Sequence, residues 1–238
     1  MSPEPASTVL SAEQMAVAFR QHTLLPLDDC LYALQATIPL LSRSALPRCF
    51  QRRGISRLPH WLPARRFCRS ADRGRAPVAP KCLMRIFVAI DRTSKVVFAE
   101  LHPRAKRVVA AEFLRRVLDK LPYKAHTVLT DNGVQFMPQA HQLLLGGHSF
   151  DRICREYGVE HRLTKPAHPW TNGQVERMNR TIKEATVQRF HYQATDELNE
   201  SLQAFLLAYN HAKRLKTLHG LTPHEFVCAQ WILLANWF

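Results

Sequence analysis

Residues 84–101 read MRIFVAIDRTSKVVFAEL, and their pattern decides the fold. Two runs rich in β-branched and aromatic side chains, Met84 to Ile90 and Val96 to Leu101, flank the turn-like Asp91-Arg92-Thr93-Ser94-Lys95, which predicts a β-hairpin. Beyond it, Val108, Ala111, Phe113, Leu114, Val117, Leu118 and Leu121 mark one face of a helix over 105–121. His126 to Thr130 reads as a short strand entering the turn Asp131-Asn132-Gly133, where the glycine allows a sharp bend. A helix from Phe150 to Tyr157 stopped by Gly158 follows, then a strand from Val159 to Leu163 and the loop 165–173. Helices over 174–190 and 196–214 complete the pattern. Hairpin, helix, strand, helix, strand, helix predicts an α/β domain with a mixed central sheet.

On the N-terminal side the character changes. Residues 43–81 hold ten arginines and Lys81 against the single acid Asp72. Within this stretch, Pro59, Pro63, Pro77 and Pro80 break any strand alternation, so 57–82 reads as a basic Arg/Pro-rich linker. Residues 1–42 are acidic by contrast. Asp28 and Asp29 precede an apolar-periodic run that breaks at Thr37-Ile38-Pro39, and a second helix starts at Ser42 or Ser44 and ends at Gly54. Pro47 kinks this second helix unless it falls in its first turn. Two short helices, the second carrying Arg43, Arg48, Arg52 and Arg53, outline a helix-turn-helix or, equally, a helical hairpin with a solvated basic face.

The whole chain has 238 residues and a formal charge of +14, which implies a polyanionic partner. Its 46% hydrophobic content excludes wholesale disorder. The longest apolar runs are far shorter than a membrane span, and MSPEPAST has no signal-peptide pattern, so a cytoplasmic protein is expected. Six scattered cysteines form no disulfide framework and no zinc spacing, so they read as reduced thiols.

Two carboxylates stand out chemically. Asp131 lies at the carboxyl end of a strand, where α/β sheets place ligands, although an Asp-Asn-Gly alone is more often only a turn. Glu176 sits near the start of a helix capped by Asn172, beside the buried stripe Val175, Met178, Ile182 and Ala185, with Arg180 and Lys183 one and two turns on. Taken alone, that face reads as solvated. Together, acids from separate elements converging at a strand end make a site for a hard divalent ion.

The runs FVAIDRTSK (87–95), VLTDNGVQF (128–136), EHRLTKPAHPWTNGQVERMNRTIKEATV (160–187) and AYNHAKRLKTLHGLTP (208–223) resemble bacterial insertion-sequence transposases with a retroviral-type integrase core. The resemblance covers about residues 83–230, and 24–46 with 52–59 resembles the family's helix-turn-helix region. It implies a ribonuclease H-like integrase core with a mixed central sheet over 83–230, the linker 57–82, and a small partial helix-turn-helix-like DNA-binding segment over 1–56. It further implies DNA cleavage and joining by a triad of two Asp and one Glu holding Mg²⁺ or Mn²⁺, with Asp131 as second and Glu176 as third carboxylate. Double-stranded DNA, as transposon ends and target, is the implied partner. Arg43, Arg48, Arg52, Lys165, Arg177, Arg180 and Lys183 are the implied contacts, with Trp170 beside Lys165 in a mobile loop. A nucleoid-associated bacterial protein acting as a homo-multimer is expected. The family's first Asp stands on a strand just before FVAID, but here that stretch is SADRGRAPVAPKC (70–82). Asp72 is its only acid, the flanking residues form a poor strand, and Asp91 falls in a turn. The alternative is therefore a DNA-binding remnant without the first carboxylate.

Overall fold

The computed structural model describes residues 11–39, 41–56, 84–137, 148–165, 172–186, 192 and 194–235. The chain divides into two compact units, Ala64–Leu202 and Met1–Pro63 with Gln203–Phe238.

In the first of these, the hairpin is β1 (Arg85–Ile90) and β2 (Val97–His102), antiparallel in the register Ile86↔Leu101 and Ile90↔Val97. Its turn is built around Asp91. The Asp91 carboxylate accepts hydrogen bonds from the Ser94 amide (2.7 Å), the Ser94 hydroxyl (2.5 Å) and the Tyr123 hydroxyl (3.0 Å). Half-burial works to raise the Asp91 pKa, but these donors outweigh it and hold the carboxyl below its ordinary value. Asp91 is thus committed to closing the hairpin. Because the folded pKa lies below the unfolded one, its contribution is fully present above the ordinary carboxylate range and fades as pH falls through the folded value. Asp91→Asn should therefore cost about 1–2 kcal/mol at pH 7. Urea unfolding should show that deficit shrinking below about pH 4.

The helix α4 (Arg107–Lys120) follows, and then β3 (Thr127–Thr130), α5 (Ser149–Glu156) and β4 (Glu160–Leu163). β3 and β4 pair in parallel, Thr127↔Glu160 through Thr130↔Leu163. Both pairing directions of a mixed sheet are present, but among the described residues they occur as two separate two-stranded sheets. Two-stranded pairs are marginal alone, so helices must cover them. They do so through a core of Phe87, Ala110, Ala111, Phe113, Leu114, Val117, Phe150, Ile153 and Cys154. Phe87 meets Phe113 at 5.6 Å between ring centroids. Burial pushes the Cys154 thiol up to about 11 and leaves it a small apolar group. Val108, assigned by periodicity to the buried face, is instead 58% exposed, because the inward stripe starts at Ala110.

Arg116 grips Glu100 with two hydrogen bonds of 2.8 and 2.6 Å, fastening α4 to β2. Burial would raise the Glu100 pKa, but Arg116 and His102 overcome it and lower it. Two further helices are α6 (Gly173–Ala185), with Met178 and Ile182 buried, and α7 (Thr195–His211), whose residues from Gln203 on belong to the other unit. Asn172 occupies the α6 N-cap position, yet its side chain makes no capping bond.

The other unit gathers α1 (Ala12–Thr23), α2 (Leu27–Leu34) and α3 (Ala45–Arg52) around Ala16, Leu25, Cys30, Leu34, Leu46, Cys49 and Phe50. Pro47 falls in the first turn of α3, where its missing amide costs nothing. The α2 to α3 connection spans residues 35–44, against the three or four residues of a compact helix-turn-helix. The C-terminal helix α8 (Pro223–Ala235) belongs to this unit. No helix among the described residues is long and apolar enough to cross a membrane.

Candidate active site

Asp131 is the first residue past β3, and its side chain is exposed. Its Oδ1 accepts a hydrogen bond from the Gly133 amide at 2.9 Å, an Asx turn that fixes one carboxylate oxygen. Gly133 makes this turn without a positive φ. A Cβ there would lie 2.8 Å from Asp131 Oδ1 and 2.5 Å from the Gln135 side chain, so those side chains would have to move to admit it. Gly133→Ala should therefore displace the Asp131 carboxylate while leaving the fold within about 1 kcal/mol. A crystal structure of the variant with Asp131 in its original rotamer would contradict this.

The strand end is tied down around that turn. The Asn132 side-chain amide donates to the Thr164 carbonyl (3.1 Å), and the Thr164 amide donates to the Thr130 carbonyl (2.9 Å). On the far side of the turn, Arg107 Nε donates to the Val134 carbonyl at 3.1 Å. Beneath Asp131, Thr130 Oγ1 lies 2.8 Å from His161 Nε2, and His161 Nδ1 lies 2.6 Å from Asp151 Oδ1. The Phe150 ring closes over the His161 imidazole at 4.8 Å. His148 is 1% exposed, and its Nδ1 accepts from the Phe150 amide while Nε2 has no partner. Burial lowers its pKa, and Arg107 adds to that effect while Asp151 opposes it. Arg107, Asp151, His161 and Thr130 were not found by sequence reasoning, because their partners lie up to 31 positions away and no local spacing reports them.

Glu176 stands in the first turn of α6, exposed, where a carboxylate also suits the positive end of the helix dipole. Arg177, Arg180 and Lys183 are exposed on the same helix, and Lys165 is exposed just after the Thr164 tether. Asp131 and Glu176 make no ion pair among the described residues. Exposed carboxylate oxygens of this kind, with only Asp131 Oδ1 engaged by the Gly133 amide, are the donor chemistry that a hard divalent cation takes. No group of three or more His, Cys, Asp or Glu side chains is gathered as a metal site among the described residues. Asp72 and Trp170 lie outside those residues.

The basic residues of the N-terminal unit are partly committed. Arg43 pairs with Asp28 (3.1 Å), Arg52 pairs with Glu13, and Arg48 Nε donates to the Ser44 carbonyl (3.0 Å). Arg43 and Asp28 are 76% and 70% exposed, so that bond competes weakly with a phosphate.

The family described as integrase core domain matches twice, over residues 70–169 and 157–223. Residues 70–223 carry an integrase core domain. Asp131 and Glu176 both lie within it. The matched residues include the hairpin and the strand, helix, strand sequence that were read as an α/β domain. An uncharacterized protein of Caenorhabditis elegans is 26% identical over 141 residues, 59% of this chain and 10% of that protein. The Pol polyprotein of radiation murine leukemia virus (strain Kaplan) is 29% identical over 144 residues, 60% of this chain and 22% of the polyprotein. The chain thus spans no more than 22% of the length of these two relatives. Among solved structures, the catalytic core domain of BIV integrase aligns with a TM-score of 0.47 and 21% identity, covering 63% of this chain and 90% of that one.

Proposed function

We infer that this chain is a transposase or integrase of the DDE type, which cleaves and joins duplex DNA by phosphoryl transfer at a divalent-metal site on Asp131 and Glu176. The observation that carries the reading is the coincidence of the integrase core domain with an Asp at the end of β3 and a Glu in the first turn of α6, both exposed and unpaired. Bound Mg²⁺ or Mn²⁺ would supply Lewis-acid stabilisation of the attacking and leaving oxygens. Asp131 and Glu176 would be its ligands, and Lys165, Arg177, Arg180 and Lys183 would hold DNA phosphates beside it. The motif strings support an insertion-sequence element as the source, and with it a bacterial, nucleoid-associated multimer. In the N-terminal unit, Arg43, Arg48 and Arg52 would add DNA contacts.

Asp72 is the candidate for the first carboxylate. The integrase core match begins at residue 70, which supports that alignment. The proline and arginine content of 57–82 favours the second reading, a DNA-binding remnant whose metal site is incomplete. Supercoiled plasmid incubated with Mn²⁺ separates the two. The enzyme nicks it to leave 3′-hydroxyl ends, and Asp72→Asn abolishes the nicking. A remnant binds the plasmid and leaves it intact.

A further inference from the structure

We propose that His161 is a positioning residue for Asp131, acting through the Thr130 hydroxyl and held in place by Asp151. This rests on the reading of Asp131 as a metal ligand and names what sets its geometry. His161 belongs to β4, in register with Val128 of β3, and in a strand Val128 and Thr130 point to the same face. The imidazole therefore reaches along that face to Thr130, the residue immediately before Asp131, with a 2.8 Å contact. At its other nitrogen, the Asp151 carboxylate lies 2.6 Å away and only accepts, so Nδ1 carries the proton. In the neutral ring Nε2 then accepts, and the Thr130 hydroxyl donates to it. The link between Thr130 and His161 is shielded from water, with the His161 side chain 10% and Thr130 8% exposed, while Asp151 at the outer end is 34% exposed.

A hydrogen bond in such surroundings holds its geometry, because breaking it leaves a buried polar group unpaired. Thr130 is also fixed through its main chain, since its carbonyl accepts from Thr164. With the residue before it locked by β4 and its own Oδ1 bonded to Gly133, Asp131 presents its second oxygen in one direction. This is the arrangement by which partners behind a ligand tune metal affinity.

Thr130→Val keeps the shape and β-branching of the side chain and removes only the hydroxyl, and His161→Phe keeps the ring against Phe150. Each should raise the Mn²⁺ dissociation constant, read from the free-ion paramagnetic resonance signal, by about tenfold. The double variant should show that same factor and not its square, since both changes break one bond. Asp91→Asn serves as the control: it lowers melting temperature and leaves Mn²⁺ affinity of the folded protein unchanged. In protein labelled with ¹⁵N-glycine and free of metal, the Gly133 amide should exchange roughly fivefold faster in both positioning variants. Unchanged Mn²⁺ affinity in the two variants, or unchanged Gly133 exchange, overturns the proposal. If the wild-type protein binds no Mn²⁺ while Gly133 exchange responds as expected, the metal reading fails and the positioning of the carboxylate stands.

Discussion

Asp131→Asn and Glu176→Gln should each lower DNA strand joining by about a thousandfold, the scale of losing several kcal/mol of metal-borne charge stabilisation. An amide keeps the shape of the carboxylate and removes its charge, so this loss comes without a change of fold. Both side chains are exposed and without ionic partners among the described residues, and neither substitution strands a buried cation. Metal-dependent stabilisation gives the independent check. At about a hundred times the dissociation constant, Mn²⁺ should stabilise the wild-type chain by about 2.7 kcal/mol, and this increment should shrink in both variants. An intact melting shift in both would move the metal elsewhere in the chain, whatever the activity.

DNA affinity should fall several hundredfold between 50 and 200 mM salt. Each neutralised phosphate contributes about −0.9 to the log-log slope, and about five contacts give that factor. The structure divides those contacts unequally. Arg177, Arg180, Lys183 and Lys165 are exposed in the core unit, whereas Arg43 and Arg52 must first give up Asp28 and Glu13. Neutralising Arg180 and Lys183 together should therefore flatten the slope by nearly two units, and neutralising Arg43 and Arg52 by less. Affinity independent of salt would remove the phosphate contacts from the account.

The parts of the fold that were legible are those with a local signal. The hairpin, α4, β3 and the helix carrying Glu176 follow from alternation, helical period and turn residues within a few positions of one another. Two helices had a signal that periodicity does not report. α1 begins with Ser11 and Gln14, which cap each other's backbone amides, and α8 begins with Thr222 and Glu225, which do the same. α8 exposes Trp231, Ile232 and Leu233 near its end, so no apolar stripe announced it. At the site, Asp131 and Glu176 were legible as carboxylates at element ends. The role of Gly133 was not, because room for a neighbouring carboxylate is a property of the folded turn and not of backbone preference. Nor were Thr130, His161 and Asp151, brought together only when β3 and β4 pair.

That pairing has a consequence for the order of events during synthesis. Among the described residues β3 pairs with β4 alone, Thr130 matched with Leu163, so that pairing waits until the ribosome has added more than thirty further residues. A nascent chain halted before Glu160 carries the Asp-Asn-Gly turn and lacks the geometry around it, and parallel pairing across such a separation is slow to form. Truncated translation products ending in that interval contain Asp131 but neither β4 nor Glu176, and are expected to be silent toward DNA chemistry. If His161 positions Asp131 as proposed, that part of its orientation arises only after β4 has been made.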